Sequence, residues 1–209
     1  MAIKNVIFDL GGVLIDWNPR YLFRKVFNDD ERMEYFLHNV ATAAWNSQMD
    51  AGRPFEEGIS ELRSQFPEFS EQIKLYYTGW EQMLGGTIPE GVALLEAIRQ
   101  SGRYVTYALT NWSAQTFPTA YARFDFLKDF EGIVVSGEEK MIKPAKGLYL
   151  TLLERYHLEP TECLFIDDNP ANVATAVSRG MTGEVFDNPP VCAARIAKLL
   201  GVTLNLPEK

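Results

Sequence analysis

Four stretches of the chain set polar or ionisable side chains at or beyond the ends of apolar runs. They are Phe8-Asp9-Leu10-Gly11-Gly12-Val13, Leu109-Thr110-Asn111-Trp112, Lys143-Pro144 and Ile166-Asp167-Asp168-Asn169-Pro170. Two adjacent carboxylates repel each other unless a cation sits between them, so Asp167-Asp168 points to a metal. A carboxylate such as Asp9 can attack phosphorus and carry the phosphoryl group as an acyl phosphate. Attack by one anion on another needs neutralising charge, which Mg²⁺ and Lys143 supply. Mg²⁺ keeps several waters and takes few protein oxygens, so two carboxylates and one backbone carbonyl suffice. Gly11 and Gly12 let the backbone close around the transferred group and offer it N–H donors. Thr110 and Asn111 are placed to hold further phosphate oxygens. Transfer of this kind is mainly positioning and electrostatics, so few groups are needed.

Each of these residues also has a plain alternative. Asp before Gly-Gly is a common turn residue. Thr110 by itself reads as a helix cap. Lys143 before a proline reads as a solvated lysine at a helix start. The functional reading rests on all of them occurring together at places a single sheet can bring into register.

The elements that must position them follow from the apolar pattern. Near-continuous runs rich in β-branched and aromatic residues predict buried parallel strands at 6–8, 105–109, 133–135, 164–166 and 184–186. Helical patterns between them cover 89–100, 148–156, 170–179 and 192–200, with Pro89 suited to a first helical position and Asn169 to a cap. Strands alternating with helices predict an α/β fold with a Rossmann-like, three-layer parallel-sheet core. In such sheets ligands sit beyond the carboxyl ends of the strands, where the four stretches lie. The segment from about Asn18 to Leu84 lacks a strand pattern and has aromatic-rich helical stretches at 21–27, 32–37, 55–65 and 71–83. It is expected to form an inserted all-helical cap spanning 17–85, with Gly85-Gly86 as a hinge and 1–16 plus 86–209 as the core.

The 209 residues carry 20 Lys+Arg and 28 Asp+Glu, a formal charge of −8, which argues against non-specific nucleic-acid binding. With 46% hydrophobic residues the chain can bury a sizeable core. It has no apolar run long enough for a membrane span, and the start of the chain does not read as a signal peptide. Cys163 and Cys192 are too few for a disulfide framework or a zinc site, and the expected compartment is cytoplasmic. The oligomeric state is left open between monomer and homodimer.

The order of an Asp after strand one, Thr after strand two, Lys-Pro after strand three and an acidic pair after strand four resembles the haloacid dehalogenase superfamily. The resemblance covers essentially the whole chain, with a cap of the C1 type, and is closest to bacterial sugar-phosphatase-like members of the α-D-glucose-1-phosphate phosphatase kind. It implies a Mg²⁺-dependent phosphatase acting on a small phosphorylated metabolite. It makes Asp9 the nucleophile and a metal ligand, Gly11 a backbone-carbonyl ligand, Asp168 the second carboxylate and Asp167 an outer-sphere group. Thr110, Asn111 and Lys143 hold the phosphate. One departure stands out: most phosphatases of the superfamily have a second Asp two residues after the nucleophile, as general acid and then base. Here that position is Gly11. General acid–base help is worth roughly 10²–10⁴-fold. Asp16 is a replacement candidate, though a flap turn explains it better. Arg53, in the turn from Asp50 to Pro54, is a candidate substrate contact, though a solvated arginine is the simpler account. Trp45, Phe55, Tyr76 and Trp80 read as cap core rather than a substrate platform.

Three other functions share parts of this pattern. A 2-haloacid dehalogenase uses the same Asp without metal, but its fourth motif normally lacks the double Asp. A phospho-receiver module places its acidic pair after the first strand, the reverse of the order here. A binding protein that lost turnover would account for Gly11 and for nothing else.

Overall fold

The computed structural model describes residues 2–206. β1 (Asn5–Phe8) is buried at all four positions, as its unbroken apolar run demands. A loop bearing Asp9 leads to β2 (Ile15–Trp17), after which the chain turns helical. That part holds α1 (Arg20–Phe23), α2 (Asp30–Tyr35), a π-helical turn at Phe36–Val40, α3 (Ala43–Asp50), α4 (Phe55–Gln65) and α5 (Ser70–Thr78). A 3₁₀ turn at Trp80–Met83 returns it to β3 (Leu84–Thr87). There follow α6 (Pro89–Gln100), β4 (Val105–Thr110), α7 (Phe117–Arg123), β5 (Gly132–Val135), α8 (Ser136–Glu139) and α9 (Lys146–Arg155). β6 (Cys163–Asp167), α10 (Pro170–Ser178), β7 (Thr182–Val185) and α11 (Pro189–Leu200) come last.

Five strands form one parallel sheet in the order β5-β4-β1-β6-β7. Alternate residues of each strand face opposite sides. Val6, Phe8, Leu164 and Ile166 pack with Leu94, Ile98 and Ile196 of α6 and α11. Ile7, Leu109 and Phe165 pack with Leu148 and Leu152 of α9 and Val173 of α10. The result is the expected α/β three-layer sandwich. Central β1 pairs Phe8 with Ala108 on one side and Ile166 on the other. Asp9, Thr110 and Asp167 therefore emerge at the same edge of three adjacent strands.

Some local expectations are corrected. The last strand runs Thr182–Val185 rather than 184–186, and Phe186 is buried just beyond it. The segment expected to be all helical is bounded by a two-stranded antiparallel ribbon, with Ile15 opposite Thr87 and Asp16 opposite Gly86. The expected boundaries, 16/17 and 85/86, fall inside that ribbon. Gly85-Gly86 gave no strand signal because glycine is a poor strand former. At Gly85 a side chain has no room, since a Cβ would lie 2.5 Å from both Asp16 Oδ2 and the Tyr21 ring. Helix α3 carries no strong amphipathic stripe and was not expected; the Thr42 side chain caps it, accepting from Trp45 N–H at 3.0 Å.

Candidate active site

Asp9 leaves β1 with its backbone fixed, because its N–H continues the ladder to Ile166 O at 2.8 Å. Its Oδ1 accepts from Leu10 N–H at 2.7 Å. Oδ2 lies 2.9 Å from Lys143 Nζ, which also donates to Asp167 Oδ2 at 2.7 Å and Leu109 O at 2.8 Å. All three protons of the buried ammonium are thus committed within the chain. Lys143 thus sits against Asp9 and balances part of the charge beside it.

Asp167 is fully buried and accepts from Asn169 N–H at 2.8 Å and from Asn172 Nδ2 at 3.0 and 3.1 Å. Asp168, the next residue, is exposed, with its carboxylate against Gly12. Carboxylate oxygens of Asp9, Asp167 and Asp168 lie within 4.8 Å of one another. Burial pushes the Asp9 carboxyl up to about 7, against the pull of Lys143 and with the charges of Asp167 and Asp168 adding to it. Burial and Asp167 also raise Asp168. Burial pulls Lys143 down, but Asp9 and Asp167 outweigh it and keep the ammonium above its ordinary value. Three carboxylates against one lysine leave uncompensated negative charge. This hard-oxygen set fits Mg²⁺.

The glycines behave differently from each other. Gly12 sits at φ +73°, and a Cβ there would overlap the Asp168 carboxylate. A Cβ at Gly11 would meet nothing within 4 Å. Thr110 ends β4 with its Oγ1 buried and unpartnered among the described residues, a free donor at the strand edge. The Asn111 side chain is otherwise engaged. Its Oδ1 accepts from Lys143 N–H at 2.8 Å and its Nδ2 donates to Lys143 O at 3.1 Å. This side chain therefore braces the loop that presents Lys143.

Beside Gly11 lies a cavity of about 150 Å³, whose walls include Trp17, Trp80, Trp112, Asn46 and Asp50. The Trp80 and Trp112 rings are 5.6 Å apart. Trp17 Nε1 and Trp112 Nε1 are buried donors with no partner among the described residues. Trp45, Phe55 and Tyr76 are buried, as a cap core requires, whereas Trp80 is buried and also forms cavity wall. Asp16 does not reach the cavity, because Tyr21 Oη donates to its Oδ2 at 2.5 Å. Arg53 pairs with Glu61 and Gln48 and borders a separate depression.

Sequence reasoning missed Asp50 and Asn46. Both are on α3, and Asn46 Nδ2 donates to Asp50 Oδ2 at 2.9 Å. The available signal was Thr42 as a cap followed by Trp45 and Met49, four apart on one buried face.

Comparison with known proteins identifies the family of the chain. Residues 3–180 match the haloacid dehalogenase-like hydrolase family. The chain is 26% identical to a sesquiterpene phosphatase of Aspergillus oryzae, over 96% of this chain and 98% of that protein. It is 23% identical to a phosphorylated carbohydrates phosphatase of Thermotoga maritima, over 86% of this chain and 82% of that one. A family enzyme from Bacteroides thetaiotaomicron, solved with magnesium and inorganic phosphate, superposes with a TM-score of 0.66 at 24% identity. That superposition covers 88% of this chain and 94% of the other.

Proposed function

Because the chain belongs to the haloacid dehalogenase-like hydrolases, we propose that it is a Mg²⁺-dependent phosphatase of a small phosphorylated metabolite, a sugar phosphate foremost. The observation that carries this reading is the convergence of Asp9, Asp167 and Asp168 around one buried lysine at the edge of β1 and β6. In this proposal residues 17–85 are the cap, and 1–16 with 86–209 the catalytic core.

Asp9 Oδ attacks phosphorus, the bond to the leaving alcohol breaks, and the phosphoryl group rests on Asp9 until water removes it. Asp9, Asp168 and the Gly11 carbonyl would hold Mg²⁺, and Asp167 would support it through Lys143 or water. When bound, the ion draws charge from the phosphoryl oxygens. Lys143 favours the ionised form of Asp9 against its burial and orients it. Thr110 Oγ1 and the Gly11 backbone N–H hold phosphate oxygens, an arrangement favoured by the unpartnered Thr110 hydroxyl, whereas the Gly12 N–H donates to Ile15 O at 3.0 Å. The indole faces and free N–H groups of Trp17 and Trp112 suit a leaving group with an apolar face and ring or hydroxyl oxygens. A carbohydrate has both. The phosphorylated carbohydrates phosphatase of Thermotoga maritima points the same way.

Metal-free halide displacement is less well supported, because three clustered carboxylates would stay unneutralised in it. The test is release of inorganic phosphate from a panel of phosphorylated metabolites by the purified chain. Activity should require Mg²⁺ and vanish in Asp9→Asn. Full turnover in that variant, or halide release from a 2-haloacid that survives chelator, would overturn the assignment.

A further inference from the structure

Phosphomonoester hydrolysis needs a proton for the departing alkoxide, and Gly11 has no side chain to give one. The space that a side chain at Gly11 would enter is open and belongs to the cavity. Among the described residues, Asp50 is the one carboxylic acid on the cavity wall. It is the last residue of α3, and the core holds it from both ends. Ser136 Oγ donates to its backbone oxygen at 2.6 Å, Asn46 Nδ2 donates to its Oδ2 at 2.9 Å, and the Ser113 backbone N–H lies near enough to its carboxyl group to favour the ionised form. A further link, Phe55 N–H to Gln115 Oε1 at 2.7 Å, holds the next helix to the same core loop. The chain thus fixes an acidic side chain of the helical segment on the wall of the cavity that Gly11 also lines.

We propose that Asp50 is the general acid and base of the reaction, delivered by the cap in place of a side chain at position 11. The inference rests on the phosphatase reading above. In the first half-reaction Asp9 Oδ bonds to phosphorus and the P–O bond to the leaving group breaks. The electron pair stays on the leaving oxygen, which takes the proton from Asp50 and departs as the alcohol. In the second, water attacks the phosphorus of the Asp9 acyl phosphate and the Asp50 carboxylate takes one of its protons. The P–O bond to Asp9 breaks, giving inorganic phosphate, the Asp9 carboxylate and reprotonated Asp50. Atoms, charge and protons balance over the two steps.

The surroundings fit a group that must hold and then release a proton near neutrality. Burial pushes the Asp50 carboxyl up to about 7, partly offset by the Ser113 N–H. No lysine or arginine pairs with it among the described residues. Tyr76 of α5 faces it, its own phenol raised by burial and next by the Asp50 charge. The Lys140 stem, just after α8, lies beside Gly52, while Glu139 of α8 pairs with Arg155. On α4, Glu56 and Glu57 are exposed. Asp16, the other candidate acid, is bound to Tyr21 and outside the cavity.

The experiment compares wild type, Asp50→Asn and Asp50→Glu on two probes with Mg²⁺ present. β-Glycerol phosphate has a leaving group that needs a proton; 4-nitrophenyl phosphate has one that does not. Asp50→Asn should lose roughly 10²–10⁴-fold in kcat/KM on the first. On the second it should release one equivalent of nitrophenolate in a near-normal burst and then stall, because acyl-phosphate hydrolysis lacks its base. The wild-type alkaline limb near pH 7 on β-glycerol phosphate should vanish in Asp50→Asn and return in Asp50→Glu. Equal loss on both probes in the burst phase, or wild-type rates in Asp50→Asn, overturns the assignment of Asp50. Wild type inert to both probes overturns the phosphatase reading beneath it.

Discussion

An ammonium group shut away from solvent between Asp9 and Asp167 is stable only while both carboxylates are present. Removing it strands two buried acids, and breaking such an arrangement costs about 3–5 kcal/mol. Lys143→Ala should therefore unfold in urea at a markedly lower midpoint as well as lose activity. An unchanged midpoint would mean that the carboxylates find solvent or protons elsewhere. Asp50 works in the opposite sense. Its carboxyl is raised from 3.8 to about 7, so between those values the unfolded chain gives up a proton that the folded chain keeps. The folded state then binds more protons, and stability falls as pH rises through that window. Asp50→Asn should melt above wild type at pH 8, with the difference shrinking toward pH 4; a constant offset would contradict the shift. Asp9, Thr110 and the Asp167-Asp168 pair were legible in the sequence because each ends or directly follows an apolar run, and Lys143 through its place before Pro144 after the third such run. Asp50 was not, because its surroundings come from Ser113 and Ser136, more than sixty residues along the chain. Asn111 was legible as a site residue, but its commitment to the Lys143 backbone appears only once β4 and the 143 loop are side by side.

Among the elements, β1, β4 and β6 were readable because burial on both faces leaves an unbroken apolar signature. The ribbon of β2 and β3 and helix α3 were not. Three-residue β2 and glycine-bearing β3 are strands by virtue of each other, and α3 is held by its cap and its packing. These less legible elements are the ones that close the cavity, since Trp17 comes from the ribbon and Asp50 from α3. Ser136 joins α3 to the core, accepting from Trp112 N–H at 2.8 Å while donating to Asp50 O. Ser136→Ala leaves the Trp112 N–H buried without that partner, a cost of about 1–3 kcal/mol. Hydrogen exchange in this variant should quicken in α3 and the turn after it and stay slow in β1 and β6. Uniform protection across α3 would show that Ser136 does not fasten it.

For the molecule as a whole, a formal charge of −8 is concentrated most tightly where folding gathers Asp9, Asp167 and Asp168. The unfolded chain separates Asp9 from the other two by more than 150 residues, so a divalent cation should bind the folded state preferentially. Binding to the native state alone stabilises it by RT ln(1 + [L]/Kd), about 2.7 kcal/mol at a hundredfold excess over Kd. In a chain of this size each kcal/mol moves Tm by about 2–4 °C. Saturating Mg²⁺ should thus raise Tm by roughly 5–11 °C over EDTA-treated protein at equal ionic strength, with NaCl controlling for general screening. Asp168→Asn should lose most of this rise, because it removes the carboxylate most open to an entering ion, yet it should melt close to wild type without metal. An equal Mg²⁺-induced rise in Asp168→Asn would place the ion elsewhere, and no rise in the wild type would mean that Lys143 alone balances the cluster.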